Sequence, residues 1–203
     1  MYQIILASES PRRKEIMETM GIPYKVITGN VKEVTDETIP AEMVQSLAAL
    51  KTKAIVTKLD TDQEENKEII IIGADTMVFY KEHALGKPKS EEDAVRMLEM
   101  ISDDVHEVYT GVSIMIRNKD GKEDSISLAV CTQVAVMPMT TEQIRDYVAT
   151  GEPMDKAGAY AIQGKFGIYI KEIIGDYYNV VGFPIAKIYD TLLSIGIDIK
   201  KLK

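Results

Sequence analysis

The chain has one cysteine, Cys131, no tryptophan and only two histidines, His83 and His106. A single cysteine excludes an intramolecular disulfide and a cysteine-rich zinc site. Two histidines leave little material for a histidine-built metal centre. Any metal would then be a hard cation such as magnesium or manganese on carboxylate oxygens. Positive charge is scarce as well: 24 lysines and arginines against 32 acidic residues leave a net charge of -8. That balance argues against a nucleic-acid polymer as partner, though a local cluster can still hold a small anion. Apolar runs are short. Tyr2 to Ala7 is apolar, but a membrane helix needs about 20 such residues. The segment also lacks the basic start of a secretory signal. No membrane partner and a cytoplasmic location are therefore expected. No G-x-S-x-G elbow and no Walker signature occurs.

What is present describes a soluble globular protein. The 203 residues are 45 % hydrophobic and 28 % charged, enough for one domain, or two small lobes around one cleft. Tyr2 to Ala7 reads as a strand. Ser10-Pro11 opens a helix, with Ser10 as N-cap and Pro11 at its first position. Tyr24 to Thr28 reads as a short strand, and Ala41 to Lys58 carries a helical apolar stripe. Ile69 to Ile72 are four consecutive isoleucines, the mark of a strand buried on both faces. The polar stretch Asp60 to Glu68 before them reads as an exposed loop. Ser90 with Asp93, and Thr140 with Gln143, are capping patterns that start two further helices. Val112 to Arg117 and Ser125 to Met137 flank Asn118-Lys119-Asp120-Gly121, which predicts a long hairpin. Phe166 to Ile174 reads as a strand and Pro184 to Ile195 as the last helix. Both βα alternation and a hairpin occur, so a mixed α/β sheet with flanking helices is expected.

Five places look chemically occupied. Arg12, Arg13 and Lys14 crowd the first turn of the first helix, where the helix dipole disfavours cations. They are either a solvated basic turn or, with Ser8, Ser10 and free backbone N–H groups, an anion site. Lys51 falls inside the apolar stripe of its helix, as a snorkelling stem or as an ammonium aimed at a phosphate. Asp75, in Gly73-Ala74-Asp75-Thr76, leaves a buried strand where active sites of α/β proteins often lie. It could hold a cation or orient water, or serve ordinary turn chemistry. Lys87 sits in the turn Leu85-Gly86-Lys87-Pro88. Asp155 to Gly164 is rich in small residues that permit close approach of a ligand, or simply connect two elements. Within it, the Gln163 amide offers a donor and an acceptor suited to a pyrimidine edge. His106 reads as structural. Cys131 shares a strand face with Ala129 and Ala135 and reads as packed.

In their order along the chain, these segments resemble the Maf family of nucleoside triphosphate pyrophosphatases. The matching pieces are Leu6-Ala7-Ser8-Glu9-Ser10-Pro11-Arg12-Arg13, Leu47-Ala48 with Lys51, Gly73 to Thr76, Leu85 to Pro88, Thr110-Gly111-Val112, Asp155 to Gly164 and Val180 to Pro184. The resemblance implies a single domain over residues 1–203, with an elongated mixed sheet, flanking helices and two lobes around a central cleft. It relates the fold to inosine triphosphatase-like pyrophosphatases. It implies hydrolysis of a nucleoside triphosphate to the monophosphate and pyrophosphate, with a divalent metal, magnesium or manganese.

By the same resemblance Asp75 is the catalytic carboxylate and Glu33 a carboxylate near the metal and phosphates. Both would ligate the metal. Lys51 joins them as a catalytic residue and, with Lys87, as a phosphate-site lysine. Arg12, Thr76 and Gln163 match positions linked to substrate choice. Ser8, Ser10, Arg13, Asp155 and Lys156 complete the expected substrate contacts. Asp155-Lys156-Ala157-Gly158-Ala159-Tyr160 ending in Gln163 looks like the branch acting on dTTP and UTP. Lys32 departs from the pattern, because many relatives carry a second acidic residue there. Phe183, where leucine is frequent, looks like a conservative core change. The nucleotide would be the partner; a homodimer is left open. Two other functions stay in view: a partner-binding inhibitor of septum formation without essential catalysis, and hydrolysis of modified pyrimidine nucleotides.

Overall fold

The computed structural model describes residues 2–61 and 68–202. The middle of the expected Asp60 to Glu68 loop lies outside the described residues. The elements are β1 (Gln3–Leu6), α1 (Pro11–Thr19), β2 (Lys25–Val26), α2 (Pro40–Thr61), β3 (Ile69–Tyr80), β4 (His83–Leu85) and α3 (Glu91–Ile101). They continue with β5 (Val105–Arg117), β6 (Glu123–Val136), α4 (Thr141–Val148), β7 (Ile170–Ile174), α5 (Tyr177–Val181) and α6 (Ile185–Ser194). The strands form a mixed sheet in the order β2-β1-β3-β5-β6-β7, with β4 paired to β3. β1 runs parallel to both β2 and β3, whereas β4 is antiparallel to β3 and β7 to β6. The expected mixed α/β class is thus the observed one.

The chain divides into two compact units. One comprises the described parts of residues 1–75, 110–129 and 182–203; the other comprises residues 76–109 and 130–181.

In the first unit the isoleucine run sets the register. Gln3 to Leu6 pair with Ile69 to Ile72, and Ile70, Ile71 and Ile72 are wholly buried. Burying each such side chain stabilises the fold by roughly 1.5–3 kcal/mol. On one face Ile5, Ala7, Ile69, Ile71 and Met115 pack with Ile55 and Leu59 of α2. Two glycines let α2 come that close. A Cβ on Gly73 would lie 2.9 Å from the Ala48 carbonyl oxygen, and one on Gly111 only 2.2 Å from the Val44 carbonyl. A buried hydrogen bond of 2.8 Å between the Thr52 and Ser113 hydroxyls ties the same helix to β5.

In the second unit α3 and α4 start as their caps dictate. Ser90 accepts from the Asp93 N–H, and Thr140 with Gln143 forms a reciprocal capping box. Their apolar faces pack with Val108, Val134, Val136, Tyr160 and Phe166. The expected hairpin of β5 and β6 runs through both units, and its loop, in the first unit, is closed by the Asn118 N–H donating to the Lys122 carbonyl at 3.0 Å.

Two readings are corrected. Residues 165–169 form a 3-10 turn, so the strand expected from Phe166 begins only at Ile170. Gly164 and Gly167 break the strand alternation there, and Phe166 turns into the aromatic cluster, 4.8 Å from Tyr160 and 5.1 Å from Tyr147 between ring centroids. Cys131 is exposed rather than packed. The buried face of β6 carries Thr132, Val134 and Val136 instead. The polar Thr132 can occupy it because its hydroxyl bonds Asn179 and the Asp176 backbone. Among the described residues, no helix is long and apolar enough to cross a membrane.

Candidate active site

The first unit gathers seven of the expected site residues. β1 ends at Leu6, and the chain turns through Ser8 and Ser10 into α1. Ser10 occupies the N-cap position without a side-chain cap bond. The Ser8 hydroxyl accepts from the Ser10 N–H at 3.3 Å and from Arg13 Nη1 at 3.0 Å. Arg13 Nε donates to the Gly182 carbonyl at 2.8 Å. Arg13 is therefore buried and fixes the turn between β1 and α1 to the segment that precedes α6. Burial pulls its guanidinium pKa down to about 10, against the opposing pull of the Asp75 charge; Arg12 lowers it further and Glu33 raises it.

Lys51 is the hub of the cluster. It lies one turn after Leu47 and Ala48 on α2, and the close approach of α2 to β3 at Gly73 brings it to Asp75. Its Nζ is 2.5 Å from Asp75 Oδ1 and 3.2 Å from Glu33 Oε1, and donates to the Ala74 carbonyl at 3.4 Å. The Lys51 and Asp75 side chains are 17 % and 11 % exposed, whereas Glu33 is 55 % exposed. So the ammonium and Asp75 form the enclosed floor, and Glu33 reaches in from the irregular segment between β2 and α2. Lys53, off the apolar stripe, is exposed.

Two carboxylates held at one ammonium are what the described residues would offer a hard cation. Among the described residues no group of three or more histidine, cysteine or acidic side chains could hold a metal. Magnesium is typically bound by one or two carboxylates plus substrate phosphates. The pair Glu33 and Asp75 fits that mode and does not fit an all-protein cage.

The remaining expected residues belong to the second unit. Thr76 follows Asp75 on β3, on the opposite face by strand alternation. Lys87 is exposed in the connection from β4 to α3. The Gly86 carbonyl accepts from the Gly158 N–H at 3.1 Å, which sets the Lys87 turn against the segment 155–164. There Lys156 pairs with the neighbouring Asp155 carboxylate, so each is partly neutralised by the other. Gln163 is exposed.

The family model of Maf-like proteins matches residues 3–195. The chain belongs to the Maf family. Similar proteins are named dTTP/UTP pyrophosphatase. That of Lachnoclostridium phytofermentans is 46 % identical over 99 % of both chains. That of Agathobacter rectalis is 44 % identical over 98 % of this chain and all of its own. One from Bacillus thuringiensis is 42 % identical over 98 % of both. Among solved structures, a HAM1 protein from Coxiella burnetii aligns over 97 % of this chain and 100 % of its own, with a TM-score of 0.49 at 12 % identity. Likenesses that loose assign no residue.

Some of what holds these residues in place, within each unit, was not visible as chemistry in the sequence. The Thr110-Gly111 motif serves the docking of α2, through the bare α-carbon under Val44. Thr52 and Ser113 fix that helix and read only as ordinary polar residues. Glu152 and Tyr147 hold the Gln163 segment through contacts whose only sequence signal was a tyrosine on the inner face of α4.

Proposed function

We propose that this Maf protein hydrolyses dTTP and UTP to the nucleoside monophosphate and pyrophosphate. The observation that carries the reading is Lys51 bonded to both Asp75 and Glu33 beside the buried Arg13. Near-full-length relatives named dTTP/UTP pyrophosphatase support the substrate.

In this reading a water oxygen bonds to the α-phosphorus. The bond from that phosphorus to the α–β bridging oxygen breaks, pyrophosphate leaves, and the water proton passes to Asp75. A carboxylate has two oxygens; one rests against Lys51, and the other is available for the proton. Lys51 fixes the orientation of Asp75, and orientation supplies much of the barrier reduction in such a displacement. Arg12, with Ser8, Ser10 and the N–H groups at the start of α1, receives the triphosphate, and Arg13 supplies buried positive charge behind them. Glu33 would hold magnesium or manganese, which when bound neutralises phosphate charge; Asp75 would join it as a ligand in the alternative in which its second oxygen holds the metal instead of taking the proton. Lys87 would add a further phosphate contact, and Thr76, Asp155, Lys156 and Gln163 would position the base. The nucleotide pools of the cytoplasm are the setting this reaction implies.

The test is pyrophosphate release from dTTP and UTP with magnesium, for wild type and Asp75→Asn. Loss of the carboxylate should lower kcat by roughly 10²–10⁴-fold. Full activity in the variant would remove Asp75 from the mechanism. Wild type that releases no pyrophosphate from either nucleotide would overturn the function. Adding 5-methyl-UTP, pseudo-UTP and CTP separates ordinary from modified pyrimidine substrates.

A further inference from the structure

The Gln163 segment has no regular secondary structure of its own, yet its ends are held. The Ala161 N–H donates to the Tyr147 hydroxyl at 3.3 Å. The Lys165 N–H donates to Glu152 Oε2 at 3.2 Å. The Tyr147 hydroxyl in turn donates to Glu152 Oε1 at 2.9 Å. Between the two anchored N–H groups, the Gly164 N–H closes a tight turn onto the Ala161 carbonyl at 3.0 Å. Gly164 is the residue this arrangement requires: a Cβ there would lie 2.2 Å from Glu152 Oε1. The carboxylate fills the space a side chain would take.

The brace is itself anchored. The Tyr147 side chain emerges from the last turn of α4 and is buried against Phe166. Burial, then the bond to Glu152, holds its phenol well above the ordinary range, so it stays a donor at neutral pH. The Glu152 N–H is bonded to the Thr150 hydroxyl at 3.3 Å. Gln163 is thus an exposed amide on a five-residue turn whose first and last N–H groups are both tied to one Tyr–Glu pair.

We infer that Glu152 and Tyr147 are positioning residues for base selection, fixing the backbone turn from which the Gln163 amide projects. This rests on the proposed pyrimidine nucleotide substrate. An amide discriminates between base edges only if its donor and acceptor are held against them; a loose one can swing to suit either edge. Neither Glu152 nor Tyr147 needs to touch the nucleotide for this.

The experiment compares kcat and KM on UTP, dTTP and CTP for wild type, Glu152→Gln and Tyr147→Phe. Glutamine keeps the volume of Glu152 but presents an NH₂ where a second acceptor stood. Phenylalanine keeps the ring packing and removes the hydroxyl. Each variant should raise KM for UTP and dTTP and lower the UTP-to-CTP ratio of kcat/KM by about fivefold, the effect of one lost hydrogen bond. Changes in kcat should stay within about twofold, because the brace shares no residue with the groups proposed for the displacement. The double variant should lose no more discrimination than either single one. A merely structural role would lower the active fraction, and hence kcat, and leave the ratio unchanged. That outcome, in either variant, would overturn the inference. Wild type that cleaves neither UTP nor dTTP would instead overturn the substrate reading, and this inference with it.

Discussion

The buried His106 should make the fold sensitive to mild acid, and the size of the effect can be worked out. The ring is 1 % exposed, and its Nε2 lies 2.7 Å from the Tyr160 hydroxyl. Its Nδ1 has no hydrogen-bond partner among the described residues. Burial pulls the imidazole pKa down to about 4, only partly offset by the Asp104 carboxylate. In the unfolded chain the same ring titrates near 6.5. The proton therefore binds the unfolded chain more tightly. The stability that His106 contributes as a neutral ring is fully present above about pH 6.5 and drains away as pH falls towards 4. Linkage between these two values gives a loss of about 2 kcal/mol at pH 5 and about 3 kcal/mol near pH 4. The window from pH 6.5 to 5 isolates this ring. Arg96 holds the Asp93 carboxyl, Tyr80 that of Asp104 and Lys201 that of Asp198 below the usual range, so their protonation acts near pH 4 and below. The other histidine, His83, is exposed. The assay is urea unfolding at pH 7, 6, 5.5 and 5, for wild type and His106→Gln, whose amide can still bond Tyr160. Wild type should lose about 2 kcal/mol across this range, and the variant should lose little. A wild-type curve flat to pH 5, or an equal slope in the variant, would refute the reasoning.

Lys51→Met leaves Asp75 and Glu33 facing one another without their shared cation. Pyrophosphate release from dTTP should fall about 100-fold in kcat/KM, and near-wild-type kinetics would exclude Lys51 from the site. Gly111→Ala places a Cβ 2.2 Å from Val44 backbone atoms, which no rotamer change relieves. Urea unfolding should show a loss of about 1–3 kcal/mol or more; an unchanged midpoint would show that α2 yields there at no cost.

Legibility in the sequence followed how local the cause was. The Ile69 to Ile72 run, the caps at Ser90 and Thr140 and the turn at Asn118 each act within a few residues, and all four appear where expected. Lys51 stood out because a cation in an apolar stripe demands a partner, and it has two. What stayed hidden depends on distant partners. Thr132 faces inward because of Asn179, 47 positions away, and Cys131 is turned outward as a consequence. Gly111 carries no chemistry of its own; its function is an absence of side chain that shows only when α2 lies on it. The short α5 and β4 have too few residues to display a period. Glu152 looked like any acidic residue before a proline until Gly164 was seen to leave room for its carboxylate.

The closest backbone approaches in the first unit and its chemistry share one cause. Helix α2 can lie against β3 and β5 because Gly73 and Gly111 carry no side chain and Thr52 bonds Ser113. Lys51 lies one position before Thr52 on that helix, and Asp75 two positions after Gly73 on that strand. The same approach that seals Val44, Ala48 and Ile55 in the core thus brings an ammonium to 2.5 Å from a carboxylate. A rigid helix on a buried strand defines such a distance far better than two loops could. Glu33 is the exception, because it comes from an irregular segment and is half exposed. The arrangement therefore divides labour by rigidity. In the proposed reaction Lys51 and Asp75 would hold the place where the bond to water forms, and Glu33 would adjust to what the phosphates bring with them. Loosening α2 at Gly111 should in consequence damage catalysis through Lys51 even where the fold survives, and should do so without altering a base preference set, as proposed, by Gln163.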